Sequence, residues 1–207
     1  MRPEDEHDPL PAGRFSAWLA DTVDPSRPDM DVPCGTCTAC CRASYFIHVA
    51  PDEHDTLRHI PKRLLFPAPG RPKGHKLLGF DERGHCPMLT DGGCSIYDHR
   101  PRTCRTYDCR IFTAAGVSPD EDGKTDIAAR TRQWRFDVAS EPSAVTDFQA
   151  VQRAAAFLAE HRSACFPDGG GPTTAGDRAA LAIKIHRVFL ATGDPDPSAV
   201  RSALEAG

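Results

Sequence analysis

Aromatic residues are scarce in this sequence, 7% of 207 positions, and hydrophobic residues of all kinds reach only 40%. The apolar core available per residue is therefore thin, and 19 prolines and 16 glycines break the chain into short pieces. A fold of this composition needs cross-links besides its core. Excess positive charge is missing too. Twenty-five basic side chains face 29 acidic ones, a formal charge of −4, which argues against nucleic acid and anionic membrane surfaces as partners. No run approaches the roughly 18 apolar residues of a membrane span. The acidic Met1–Asp8 stretch has neither the basic nor the apolar part of a signal peptide. The expectation is a cytoplasmic protein without a membrane partner. A phosphate-binding loop is also lacking: Gly70 and Gly74 sit in a proline-rich loop without the Gly-x-x-x-x-Gly-Lys-Ser/Thr order.

What is present in excess is thiol. Cys34, Cys37, Cys40 and Cys41 fall within eight residues, and Cys86, Cys94, Cys104 and Cys109 follow, so eight of the nine cysteines lie between 34 and 109. Disulfides are rare in a reducing compartment, and nine thiols cannot all pair within one chain. Thiolate is instead the soft ligand that selects zinc or iron–sulfur clusters, so these eight cysteines are the candidate metal ligands. Adjacent side chains point in different directions, which makes Cys40 and Cys41 poor partners in one mononuclear tetrahedral site. Eight thiols could supply two Cys₄ zinc sites, or one iron–sulfur cluster with the remainder on a second metal or free for redox exchange. His85 and His99 could replace a thiolate; His54 and His59 could also be ligands, but read first as solvated histidines on a helix. Cys165, beside a glycine linker, reads as a bystander.

A tetrathiolate centre is negative whichever metal fills it. Arg42, Arg100, Arg102, Arg105 and Arg110 are interleaved with the ligand candidates and are read as partly offsetting that charge.

The elements around these thiols are short. Phe15, Trp18 and Leu19 share a helical face, either as a docked helix or as one anchored turn in an irregular arm. Tyr45–Val49 suits a buried strand. Residues 52–60 suit a helix that Pro61 stops, and 61–75 a loop. Lys76–Phe80, Cys86–Leu89 and Cys94–Tyr97 read as three strands joined by tight turns that bring Cys86 towards Cys94. Proline near a helical start at Arg100–Tyr107 places Cys104 in a first turn, where thiolate is favoured. Residues 124–138 lean to helix, although Trp134, Phe136 and Val138 also alternate as a strand would. Val145, Phe148, Val151, Ala155 and Leu158 define one amphipathic helix. Leu181, Ile185, Val188 and Phe189 define another, over 177–192 and ended by Gly193, and a third follows Pro197. The expected fold class is α+β: a small metal-organised domain of short strands and helices with a helical C-terminal extension. Its expected divisions are an N-terminal arm at 1–33, the metal-binding domain at 34–140 and the helical extension at 141–207. That extension is where a protein partner would dock.

Cys34-x-x-Cys37-x-x-Cys40-Cys41, then Cys86-Pro87-x-Leu89, then Gly93-Cys94-x-Ile96-Tyr97-x-x-Arg100-Pro101-x-x-Cys104-Arg105 resembles the CxxCxxCC cysteine-cluster family of zinc- or iron-chelating domains. The resemblance covers residues 34 to about 112. It implies Cys34, Cys37, Cys40, Cys41, Cys86, Cys94 and Cys104 as ligands, whereas Cys109 is added by proximity. One branch of that family is similar to flagellin lysine N-methylase, which implies an iron–sulfur enzyme, a methylase or a redox protein, as the alternative to a metal-binding protein. The sequence lacks the Cys-x-x-x-Cys-x-x-Cys order of radical enzymes, because Ser44 stands at its third position.

Overall fold

A computed structural model of the chain describes residues 8–24, 26–27, 30, 32, 34–191 and 193–205. The acidic stretch 1–7, parts of the expected N-terminal arm and Thr192, the expected end of a helix, lie outside the described residues. Along the chain come β1 (Leu10–Arg14), α1 (Phe15–Val23), β2 (Ile47–Val49), α2 (His54–His59), β3 (Leu65–Pro67), β4 (Lys76–Leu78), β5 (Leu89–Thr90) and β6 (Gly93–Cys94). There follow α3 (Arg102–Thr106), α4 (Arg110–Ala115), α5 (Thr125–Thr131), β7 (Trp134–Asp137), α6 (Pro142–Glu160), α7 (Arg162–Cys165), α8 (Ala175–Ile185) and α9 (Pro197–Glu205). The architecture is α+β, with short strands in small sheets and a helical C-terminal region. Among the described residues no helix is long and apolar enough to cross a membrane.

The chain divides into two compact units, Ser26–Asp108 and the combination of Met1–Pro25 with Cys109–Gly207. In the first, β4 lies between β2 and β3 in an antiparallel sheet. Val49, Ile60, Leu78 and Ile96 form its buried core, with Leu57, Leu64, Met88, Cys86 and Cys94 packed against them. Each such aliphatic side chain contributes about 1.5–3 kcal/mol on burial, so a core this small gains from further cross-links. Two candidate ligands therefore lie against the apolar core.

In the second unit β1 pairs in parallel with β7, Leu10 opposite Trp134. Residues 10–14 are thus a strand of the body, and α1 is a full helix whose Phe15, Trp18 and Leu19 are buried. Phe15 meets Phe136 and Phe148 edge to face, at centroid separations of 5.3 and 5.0 Å. α6 packs on α8 and α4, and the buried alanines 114, 115, 150, 154, 179 and 182 allow close helix approach. Asp177 completes a capping box with Thr174 at the start of α8. That helix ends at Ile185 and continues as a 3₁₀ turn to Phe189, short of the expected end. The helix expected over 124–138 is half right. α5 ends at Thr131, and Trp134 and Phe136 belong to a strand because the N-terminal segment supplies its pairing partner.

Candidate metal centre

The CxxCxxCC stretch folds as successive turns, each closed by one backbone bond. Cys37 N–H donates to the Cys34 carbonyl at 2.9 Å, Cys41 N–H to Thr38 at 3.0 Å, and Cys40–Arg42 forms a 3₁₀ turn. Ser44 N–H donates to the Gly84 carbonyl at 3.0 Å, and Cys86 N–H to the Cys41 carbonyl at 2.7 Å. The segment carrying Cys86 is thereby laid along the thiol turn. Gly84 makes the approach possible: its φ is +80°, and a Cβ there would run into the Ser44 hydroxyl.

Cys94 reaches the same place through β5 and β6, which pair Leu89 with Cys94. Cys86 does not start a strand. It opens a turn, with Leu89 N–H donating to the Cys86 carbonyl at 2.9 Å, and Tyr97–His99 is a 3₁₀ turn rather than the end of a strand.

Cys104 lies on α3, and the anchor of that helix is a carboxylate. Glu53 is 8% exposed. Its Oε1 accepts Ala50 N–H at 2.8 Å, and its Oε2 accepts the first helical N–H, from Arg102, at 2.5 Å. The Thr103 hydroxyl adds a bond to the His48 carbonyl at 2.8 Å. An acidic residue at the start of α2 was visible in the sequence, but nothing there indicated a reach of 49 residues.

The thiols sense one another. Burial first, then the nearby thiols of Cys40, Cys86 and Cys94, push Cys104 up to about 12, while the Arg100 guanidinium pulls it down. Burial, Cys94, Cys40 and Asp81 raise Cys86. Cys40 is raised above all by its hydrogen bond with the Cys41 thiol, then by burial and by the charge Cys41 would carry. The adjacent pair thus turns its sulfurs towards each other, where free divergence was expected, because the 3₁₀ turn gathers them. Cys40, Cys86, Cys94 and Cys104 are near enough to perturb one another's ionisation, Cys41 acts on Cys40, and Cys37 is tied through its turn to Cys34. Cys34 and Cys104 both line a cleft of about 370 Å³ shared with Arg27, Tyr97, Arg100 and Arg105. This donor set fits a soft cation: ionising these thiols together without one would crowd like charges in a half-buried site.

The other candidates have partners of their own. Cys109 falls in the other unit, at the start of α4, and its sulfur accepts Trp134 Nε1–H at 3.2 Å. Cys165 is buried in that unit, and burial raises its thiol. His85 donates its backbone N–H to Asp81 at 2.8 Å. His99 turns its ring to Asp55, with Nδ1 2.5 Å from Oδ2. Of the interleaved arginines, Arg100 stacks over the Tyr97 ring at 3.6 Å, and Arg105 donates to the Arg100 carbonyl at 2.7 Å. Arg102 pairs with Asp52 at 2.7 Å, Arg42 reaches Thr38 at 3.3 Å, and Arg110 bonds the Ala12 carbonyl at 3.1 Å. Charge offset at the thiols therefore falls chiefly to Arg100, with Arg105 beside the cleft.

Residues 33–133 match the model of the CxxCxxCC family, described as "Putative zinc- or iron-chelating domain". No curated protein and no solved structure matches the chain.

Proposed function

Starting from a chain whose residues 33–133 belong to the CxxCxxCC family of zinc- or iron-chelating domains, we propose that it holds divalent metal, with zinc as the best fit, in one site of seven thiols. Those thiols are Cys34, Cys37, Cys40, Cys41, Cys86, Cys94 and Cys104. What supports this reading is that Cys40 is perturbed by Cys41 and itself perturbs Cys86 and Cys104, which also feel Cys94, and that Cys86 N–H bonds the Cys41 carbonyl. Two tetrahedral ions that share one thiolate need seven thiols in all, and Cys40 would be the shared one.

Such ions would act structurally. Closed thiolate coordination leaves no position for substrate, and binding supplies the folding energy that the small core of Ser26–Asp108 lacks. Reduced thiols held for metal suit a reducing compartment, the cytoplasm. The acidic balance supports neither nucleic acid nor membrane as partner. The helices after residue 141 remain the surface for a protein partner, and size-exclusion of the chain with and without them tests that.

A second reading rests on the cleft. Three guanidiniums and Tyr97 beside Cys34 and Cys104 would suit a small anion next to the metal, as an iron–sulfur enzyme of the lysine N-methylase or redox type would require.

Anaerobic purification followed by metal and acid-labile sulfide analysis separates the two. A colourless protein with two zinc ions per chain and no sulfide is expected. A brown protein with stoichiometric sulfide overturns the zinc reading. A Cys109→Ser variant is assayed in parallel, and loss of a metal equivalent there would make Cys109 an eighth ligand.

A further inference from the structure

Asp55 and His59 lie four residues apart on α2 and so share a face of that helix. The 3₁₀ turn Tyr97–His99 packs against α2 and brings a second imidazole to the same carboxylate. His99 Nδ1 stands 2.5 Å from Asp55 Oδ2, and His59 Nδ1 3.9 Å from Asp55 Oδ1. The three donor atoms all fall within 4.8 Å of one another. The imidazoles lie face to face, 3.6 Å apart and 5° from parallel.

We propose that Asp55, His59 and His99 form a second metal site, separate from the thiols, which takes a borderline divalent ion of the zinc, cobalt or nickel class through two imidazole nitrogens and one carboxylate oxygen. Metal–nitrogen and metal–oxygen bonds of about 2.0–2.2 Å set donor atoms about 3 Å apart. The 2.5 Å contact has to open by about 0.5 Å and the 3.9 Å separation to close by about 0.9 Å. The rings must turn out of their stack so that their lone pairs converge. The side chains have room to do so, because Asp55 is 55% exposed and each histidine 39%.

The donor set also differs in kind from the first. Thiolates select soft ions, whereas imidazole with carboxylate suits harder ones. Three protein donors leave coordination positions to water, the mark of an open site. Two contacts compete: Arg58 Nη2 sits 2.9 Å from Asp55 Oδ1 and occupies the oxygen that faces His59, and His59 Nδ1 lies 2.9 Å from the Asp55 backbone carbonyl, a bond it gives up unless Nε2 is the donor. The same arginine, with His99, holds the Asp55 carboxyl below the usual carboxylate range, so the oxygen donor is ionised when metal arrives.

The test uses the full chain with its thiol site first saturated with zinc, and cobalt(II) as the probe, followed by calorimetry and visible absorption. The expected result is one further equivalent of cobalt, with ligand-field absorption and no sulfur-to-cobalt charge-transfer band. His59→Ala and His99→Ala should each weaken this binding by more than the roughly 10–100-fold that loss of an outer-sphere partner costs, with zinc content unchanged. His54→Ala, on the same helix, should leave it intact, and Arg58→Ala should tighten it by freeing the carboxylate. Absence of the extra equivalent, undiminished binding in either histidine variant, or a charge-transfer band that shows cobalt entering the thiols would each overturn the proposal. Because the zinc content is read separately, failure here is distinct from failure of the seven-thiol site.

Discussion

Glu53→Ala removes the clip that positions Cys104 without touching a thiol. Glu53 makes two hydrogen bonds to backbone donors, Ala50 N–H at 2.8 Å and Arg102 N–H at 2.5 Å, from a side chain in a residue only 8% exposed. Hydrogen bonds to a charged group contribute about 1.5–3 kcal/mol each, so losing both should cost about 3–6 kcal/mol. Domains of this kind have only about 5–15 kcal/mol in total, which places the metal-free variant near the edge of folding. The assay is denaturant unfolding of the metal-free and zinc-loaded proteins, together with zinc competition against a chelator. The metal-free variant should lose most of its stability, and zinc affinity should fall because part of the binding energy is spent reordering α3. Glu53→Gln keeps one acceptor oxygen and should lose about half as much. A cost below about 1 kcal/mol for Glu53→Ala would refute the reasoning, because a carboxylate worth so little cannot be what seats the helix.

Gly84→Ala combines a left-handed φ of +80° with a Cβ that runs into the Ser44 hydroxyl; it should destabilise by about 1–3 kcal/mol and weaken zinc binding by parting Cys86 from Cys41, as thermal unfolding and chelator competition would read. Cys40→Ser should lower zinc content from two equivalents to one or none, while Cys165→Ser should leave it unchanged, both by elemental analysis. In the metal-free protein the Cys104 thiol is raised from 9.0 to about 12. Its neutral form thus favours the fold below pH about 9, and that contribution is lost as pH rises towards 12. Denaturant midpoints should fall over that window without metal and hold with zinc, whereas acid should strip zinc by protonating the thiolates.

Much of the local structure was legible because its causes are local. The apolar stripes of α6 and α8 and Pro61 after α2 act within a few residues, and those elements stand close to where the pattern put them. The misreadings share another cause. Trp134 and Phe136 fit either period, and the decision for strand came from Leu10 and Gly13, more than 120 residues earlier. Cys86–Leu89 looked like a strand by composition, yet Cys86 is held by the Cys41 carbonyl and has no strand partner. Glu53 passed as a helix-start residue, and its bond to Arg102 depends on a fold that composition does not reveal.

The sequence by itself determined the chemistry: which thiols exist, how closely Cys34 to Cys41 are spaced, and hence that a soft cation is the ligand to expect. Spacing along the chain constrains what neighbours can do together. Only the tertiary structure decided how the segments that carry the thiols are laid together. It bonded Cys86 to the Cys41 turn, paired Leu89 with Cys94, anchored the helix of Cys104 on Glu53, and turned His99 to Asp55 and His59. The reason is physical: contacts between distant residues are set by backbone bonds such as Cys86 to Cys41 and Glu53 to Arg102, whose energies depend on the whole unit being folded.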